Sequence, residues 1–189
     1  MHLVRHALPQ ITHRTKMNHP KDGAREEDPG SIKIIAIGQS LRGDDAAGLE
    51  AVKLWYETYQ AKVNRPNVQM ELAELPGIGL LSLLGGARVA ILVDAVHGDA
   101  KTGTVHVLAE NQLKSFTDGS GSPHGWGVAE TLSLGRKLLP STLPEKLILI
   151  GIEAGQLNLG ETLSPEVESA LPEVARLIEH YINIDPVYK

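Results

Sequence analysis

Three short runs, IKIIAI at 32–37, VAILVDAV at 89–96 and LILIGI at 147–152, are almost continuously apolar and dense in β-branched residues. A strand with one wet face alternates apolar and polar side chains, so a run without alternation reads as a strand covered on both faces. Helices on either side of a mostly parallel sheet give that cover, and parallel neighbours must be joined by long crossovers. The chain between the runs supplies them. Over 45–60, Leu49, Val52, Trp55 and Tyr59 recur at helical spacing, residues 80–84 form a short apolar helix, and Val128, Leu132, Gly135 and Leu139 mark another over 128–139.

The chain closes with a helix whose start is set by Ser164 as cap and Pro165 in the first turn. Val167, Leu171, Val174, Ile178 and Ile182 form its buried stripe, and a kink or restart is expected at Pro172. Residues 68–74 add a strand, TVHVL at 104–108 adds an edge strand or hairpin partner, and the polar stretch 114–123 is expected as a loop. The expected fold is therefore α/β, in three α/β/α layers, with a mostly parallel twisted central sheet flanked by helices on both faces.

At 189 residues and 42% hydrophobic, the chain holds enough material for one ordinary core. Residues 1–30 show neither helical nor strand period and carry His2, His6, His13 and His19 among Pro, Asn and charges. They are expected to be a disordered or loosely attached extension ahead of a single domain over residues 31–189. A net charge of −5 leaves no broad basic face, so nucleic acid is not an expected partner. No stretch is long and apolar enough to span a bilayer or serve as a secretory signal, so no membrane partner and a cytoplasmic location are expected. With no cysteine, a disulfide scaffold, a thiolate metal site and a cysteine nucleophile are excluded.

In such sheets ligands bind beyond the carboxyl ends of the strands. The loop after the first strand, Gly38-Gln39-Ser40-Leu41-Arg42-Gly43-Asp44-Asp45, imitates the glycine spacing of a phosphate loop. It places two carboxylates where Lys and Ser or Thr are needed, and these would repel a phosphate. Asp44 reads as a helix cap; Asp45 reads either as dipole-favoured filler or as a cation ligand. Asp94 follows the apolar run 89–93, and a carboxylate there is costly unless paired, hydrogen-bonded to loop amides or bound to a metal. His124 stands in the rigid turn Ser122-Pro123-His124-Gly125, ahead of a helix. His97, in a polar loop, and His106, on an alternating strand, read as surface residues. Two carboxylates and an imidazole make an oxygen and nitrogen ligand set suited to borderline divalent metals, one arrangement among several from the residues alone. The zinc-protease helix motif and the serine elbow are both absent, Gly119-Ser120-Gly121-Ser122 having the wrong order for the latter.

Four segments together, GQSLRGDDAAG, ILVDAV with Gly103-Thr104-Val105 downstream, SPHG before a helix, and LILIGIE followed by Leu163-Ser164-Pro165, resemble the hydrogenase maturation endopeptidases. The resemblance runs in order from about Ile32 to Ile182. It implies an endopeptidase that removes the C-terminal extension of a [NiFe]-hydrogenase large-subunit precursor after nickel insertion, cutting after a basic residue. It further implies that Asp45, Asp94 and His124 are the catalytic and metal-binding residues, meeting nickel carried by the substrate. The partner would be that precursor, and the protein is expected to be a monomer. Gln39, Ser40 and Ala46 replace the Asn, Pro and Gly common in the family's first loop, and Glu74-Leu75-Pro76-Gly77 stands where an Asp-Gly-Gly-Thr segment is usual. Glu74, Gly77 and Ser122 are the candidate substrate-binding residues, with 74–79 and 114–123 as rims of the docking cleft. The same ligands in a non-catalytic nickel-binding accessory protein, or in an unrelated small α/β metallohydrolase, are the competing readings.

Overall fold

The structure, a computed structural model, describes residues 31–62, 65–74, 76–117 and 127–184. The extension expected over residues 1–30 lies outside the described residues. Among the described residues five strands make one sheet: β1 (Ile32–Ile37), β2 (Val68–Ala73), β3 (Val89–Val96), β4 (Val105–Ala109) and β5 (Lys146–Glu153), in the order β2-β1-β3-β5-β4. Every pairing is parallel except β4 with β5, which is antiparallel. The three unalternating runs are the three inner strands, and Ile32, Ile34, Ile35, Ile91, Leu92, Val93 and Ile150 are all fully buried, as cover on both faces requires.

Alternate residues of those strands point to opposite helical layers. On one side Ile32, Ile34, Ile91, Val93, Ile148 and Ile150 pack against α1 (Ala47–Thr58) and α5 (Pro165–Asn183). On the other, Ile35, Ile37, Ala90, Leu92, Leu147 and Leu149 meet α2 (Leu80–Leu84), α3 (Glu110–Thr117) and α4 (Val128–Leu138). The α/β/α layering and the mostly parallel sheet are as the sequence predicts. Among the described residues no helix is long and apolar enough to cross a membrane.

Three local expectations are corrected. Residues 114–117 are not loop: they belong to α3, held by buried Leu113 and by Glu110, whose carboxylate receives Arg136 Nε at 2.7 Å and Nη2 at 2.6 Å. The helix expected from residue 45 begins instead with a 3₁₀ turn over Gly43–Ala46, and α1 proper starts at Ala47. Pro172 does not restart the last helix, because buried Val167, Leu171, Val174 and Ile178 continue one packed stripe across it.

From β1 the chain crosses to β2 on one side, and β3 and β5 lie on the other. The reversal of strand order falls between β1 and β3, and such a switch point opens a crevice at the strands' carboxyl ends.

Candidate active site

At the switch point between β1 and β3 the backbone of the following helix approaches both strand ends closely. Gly48, in the first turn of α1, lies against the strand ends: a β-carbon there would stand 2.4 Å from the Val93 carbonyl oxygen and 2.5 Å from that of Ile37. Only glycine lets the helix start so near both strands. The loop before it folds back on itself. The Gln39 N–H donates to the Asp45 carbonyl at 3.3 Å, and Gly38, at φ 152°, leaves room where a side chain would meet that same carbonyl.

Asp44 turns inward from this loop and is fully buried. Its role differs from the helix cap expected, since neither the 3₁₀ turn nor α1 has a side-chain cap. Its Oδ2 accepts the N–H groups of Gly155 at 2.9 Å and Gln156 at 3.0 Å and the Ser164 hydroxyl at 3.0 Å, while Oδ1 accepts the Ser164 N–H at 2.6 Å. Burial alone would raise its pKa, but the hydrogen bonds from Ser164, Gln156 and Gly155 outweigh burial and hold it below the ordinary carboxylate value. Ser164 is the residue before α5, as the sequence predicts, yet its hydroxyl serves Asp44 rather than its own helix. The loop after β1 is thereby tied to the segment between β5 and α5.

With Asp44 fixed inward, its neighbour Asp45 is half-buried. Asp94 is also half-buried, one residue beyond the last pairing of β3 with β1. Its pKa is pushed up to about 7, first by burial and then by the negative charge of Asp45, against a smaller opposing effect of the Ala95 N–H. The two carboxylates, one from the turn before α1 and one from the end of β3, therefore feel each other. Such a pair near neutral pH holds a proton or calls for a cation.

The other candidate residues separate. His124 and Ser122 lie outside the described residues, and among the described residues no three His, Cys, Asp or Glu side chains are grouped to hold a metal. Glu74 and Gly77 stand exposed beyond the end of β2, on the rim next to the first loop. Glu74 Oε1 accepts the Ser40 hydroxyl at 2.7 Å, and this bond, with that from the Ser40 N–H, holds the Glu74 carboxylate below its usual value. Two positions that depart from the family pattern thus bind one another. Gln39, a third departure, has its Nε2 buried without a partner among the described residues.

His97 is exposed, as expected. His106 is not a surface residue: its side chain is 21% exposed and its Nε2 lies 3.1 Å from Oε2 of Glu153. The sequence reading passed over Glu153, although a carboxylate ending the apolar run LILIGI is the same signal that singled out Asp94.

Comparison with known proteins bears on the family and the fold. The family model described as hydrogenase maturation protease matches residues 67–181, which include Asp94, while Asp45 precedes the matched segment. The chain is 26% identical over 141 residues to the hydrogenase 2 maturation protease of Escherichia coli K12, covering 74% of this chain and 83% of that one. It is 27% identical over 143 residues to the hydrogenase expression/formation protein HupD of Rhizobium leguminosarum, covering 75% and 68%. Among solved structures, the hydrogenase maturating endopeptidase HybD from E. coli superposes with a TM-score of 0.72 at 23% identity, over 82% of this chain and 94% of that one. The [NiFe] hydrogenase maturation protease HybD from Thermococcus kodakarensis gives 0.61 at 24% identity, over 80% and 99%. At these identities the structural likeness bears on the fold.

Proposed function

The chain belongs to the hydrogenase maturation protease family, and from that premise we propose that it removes the C-terminal extension of a [NiFe]-hydrogenase large-subunit precursor once nickel has been inserted. The observation that carries the reading is the meeting of Asp45 and Asp94 at the switch point, where burial and the Asp45 charge raise the Asp94 pKa to about 7. With its pKa about 7, Asp94 is partly protonated near neutrality in the free protein. A dication brought by the substrate displaces the proton and relieves the repulsion, so docking of a nickel-loaded precursor is favoured over docking of an empty one.

Asp45 and Asp94 offer oxygen ligands, and the sequence resemblance assigns an imidazole nitrogen to the same set through His124. Nickel held in the precursor supplies a Lewis acid or a template for the scissile peptide. Within that arrangement the chain's own groups orient the peptide. Water adds to the carbonyl carbon, the C–N bond breaks, and the leaving amine takes up a proton. Glu74, oriented by Ser40, offers a negative charge on the rim to the basic residue after which the cut falls. Gly77, whose neighbourhood leaves open space where a side chain would stand, lets the substrate backbone approach that rim, and the sequence resemblance adds Ser122 as a further substrate-binding residue.

Nickel-loaded precursor incubated with the protein should become a shorter band on a gel, whereas nickel-free precursor should persist. If the correct nickel-loaded precursor stays intact, the endopeptidase reading is lost. Binding of that precursor without shortening would instead favour a non-catalytic accessory role.

A further inference from the structure

Asp94 sits on a piece of β3 supported from one side. The β1 ladder ends at Ala36 opposite Val93, while the β5 ladder continues through Asp94 opposite Gly151 to Val96 opposite Glu153. In-register neighbours share a sheet face, so the Glu153 side chain stands on Asp94's side of the sheet, beside the end of the same strand. Glu153 is 1% exposed. Its Oε1 accepts the Gly98 N–H and its Oε2 meets His106 Nε2 at 3.1 Å. Its backbone accepts the Gly103 N–H at 2.8 Å and donates to the Thr104 carbonyl at 2.9 Å, while the Ala154 N–H donates to Val96 at 2.8 Å. Both ends of the 97–104 connection converge on this one residue.

A buried carboxylate costs several kcal/mol unless strong bonds offset it. Here two directional, charge-assisted partners do so, and both belong to the chain that leaves β3 and returns as β4. An apolar side chain could fill the space, but it would leave the Gly98 N–H unpaired and the chain that follows Val96 without its anchor.

We infer that Glu153, held by His106, is a positioning residue for Asp94: by gripping Gly98 it anchors the chain just beyond the β5 ladder, the one side from which this strand end is paired. The inference rests on the processing role proposed for Asp94. Glutamine can replace the grip, because its carbonyl oxygen accepts the Gly98 N–H and its amide donates to His106 after the imidazole proton moves to Nδ1. Leucine cannot.

The test compares Glu153→Gln, Glu153→Leu and wild type on nickel-loaded precursor well below the unfolding temperature, with amide hydrogen exchange measured on the free proteins. Misplacement of a reacting group by about 1 Å can cost roughly a hundredfold. Glu153→Leu should accordingly lower kcat by roughly 10- to 100-fold with KM unchanged. Exchange should quicken at residues 95–98 but not along β1, and Glu153→Gln should restore both readouts. Wild-type kcat in Glu153→Leu, equal loss in the Gln and Leu variants, or faster exchange across the whole sheet would each overturn the inference. If wild type leaves the precursor uncut, the processing reading fails, and exchange at 95–98 alone decides whether Glu153 holds the strand end.

Discussion

The Asp44 carboxylate accepts the backbone N–H of Ser164 at 2.6 Å, joining the loop that carries Asp45 to the start of the last helix. The carboxylate thus occupies the amino end of α5, where a negative charge is favoured by the exposed N–H groups and the helix dipole. It fixes Asp45 indirectly, since the neighbouring residue cannot swing away while Asp44 is held by four hydrogen bonds.

Asp44→Ala should therefore destabilise the protein by about 3 kcal/mol or more at pH 7, because buried donors lose a charged acceptor. The folded-state pKa of Asp44 lies below the ordinary 3.8. Its stabilisation is therefore present above the unfolded value and is lost as pH falls through the depressed one. Urea unfolding of wild type and variant should show a constant gap from neutrality down to mildly acid pH that narrows in stronger acid. A gap independent of pH would show that the charge contributes nothing.

Gly48→Ala tests the close approach of α1 to the strand ends. The added carbon would meet two backbone oxygens at 2.4 and 2.5 Å, and backbone cannot yield as a flexible side chain does. A loss of about 1–3 kcal/mol, typical of overpacking, is expected in denaturant unfolding. Because the helix must retreat from β1 and β3, precursor processing should fall further than the stability change explains. Full activity in the variant would mean that the approach serves packing alone.

Much of this architecture was legible in the sequence, because buried parallel strands declare themselves by lack of alternation. Val89–Val96 and Leu80–Leu84 are found where the pattern placed them. What local patterns missed depends on distant partners. Asp44 looks like a cap when only the next few residues are considered, yet its acceptors' partners lie 111 to 120 positions along the chain. Residues 114–117 read as loop because the helix they continue is anchored elsewhere, by buried Leu113 and by Arg136, 26 residues from Glu110. Asp45 and Asp94 could be singled out because a strand end in an α/β sheet is a privileged place. Glu153 occupied such a place too, but its partner His106 stood on a strand whose alternation resembled a wet surface.

Asp45→Asn should lower the pKa of Asp94 from about 7, because the neighbouring negative charge that helps to raise it is removed. The largest cause, burial, remains, so the value should stay above the ordinary 3.8. Carbon-detected NMR of the Asp94 carboxyl group during a pH titration of the free protein gives a direct reading. An unchanged midpoint in the variant would show that the two carboxylates do not face one another.

Ser40→Ala removes the hydroxyl that orients Glu74 at the rim. The Glu74 pKa should rise toward the usual 4.5, since its lowering comes first from that hydroxyl. Both residues are exposed, so thermal stability should hardly change. If Glu74 receives the basic residue at the cleavage point, KM for the precursor should rise by roughly two- to tenfold, the worth of one ordinary hydrogen bond, with kcat retained. An unaltered KM would remove the Ser40–Glu74 pair from substrate recognition.

Asp94→Ala separates catalysis from folding most sharply. A carboxyl whose folded-state pKa is raised favours the folded protein below the unfolded value, and that contribution is lost as pH rises through the folded one. With the ordinary value at 3.8 and the folded value about 7, ionised Asp94 burdens the fold at pH 8 but not at pH 4. Replacing it by alanine should thus leave stability at pH 8 unchanged or raised, after allowance for the small loss of packing. Processing of nickel-loaded precursor should meanwhile fall by roughly a thousandfold or more, as in sites whose members act as one unit. A variant that is both destabilised at pH 8 and active would refute the assignment on each count, because the cost of this carboxylate would then belong to structure and not to the reaction.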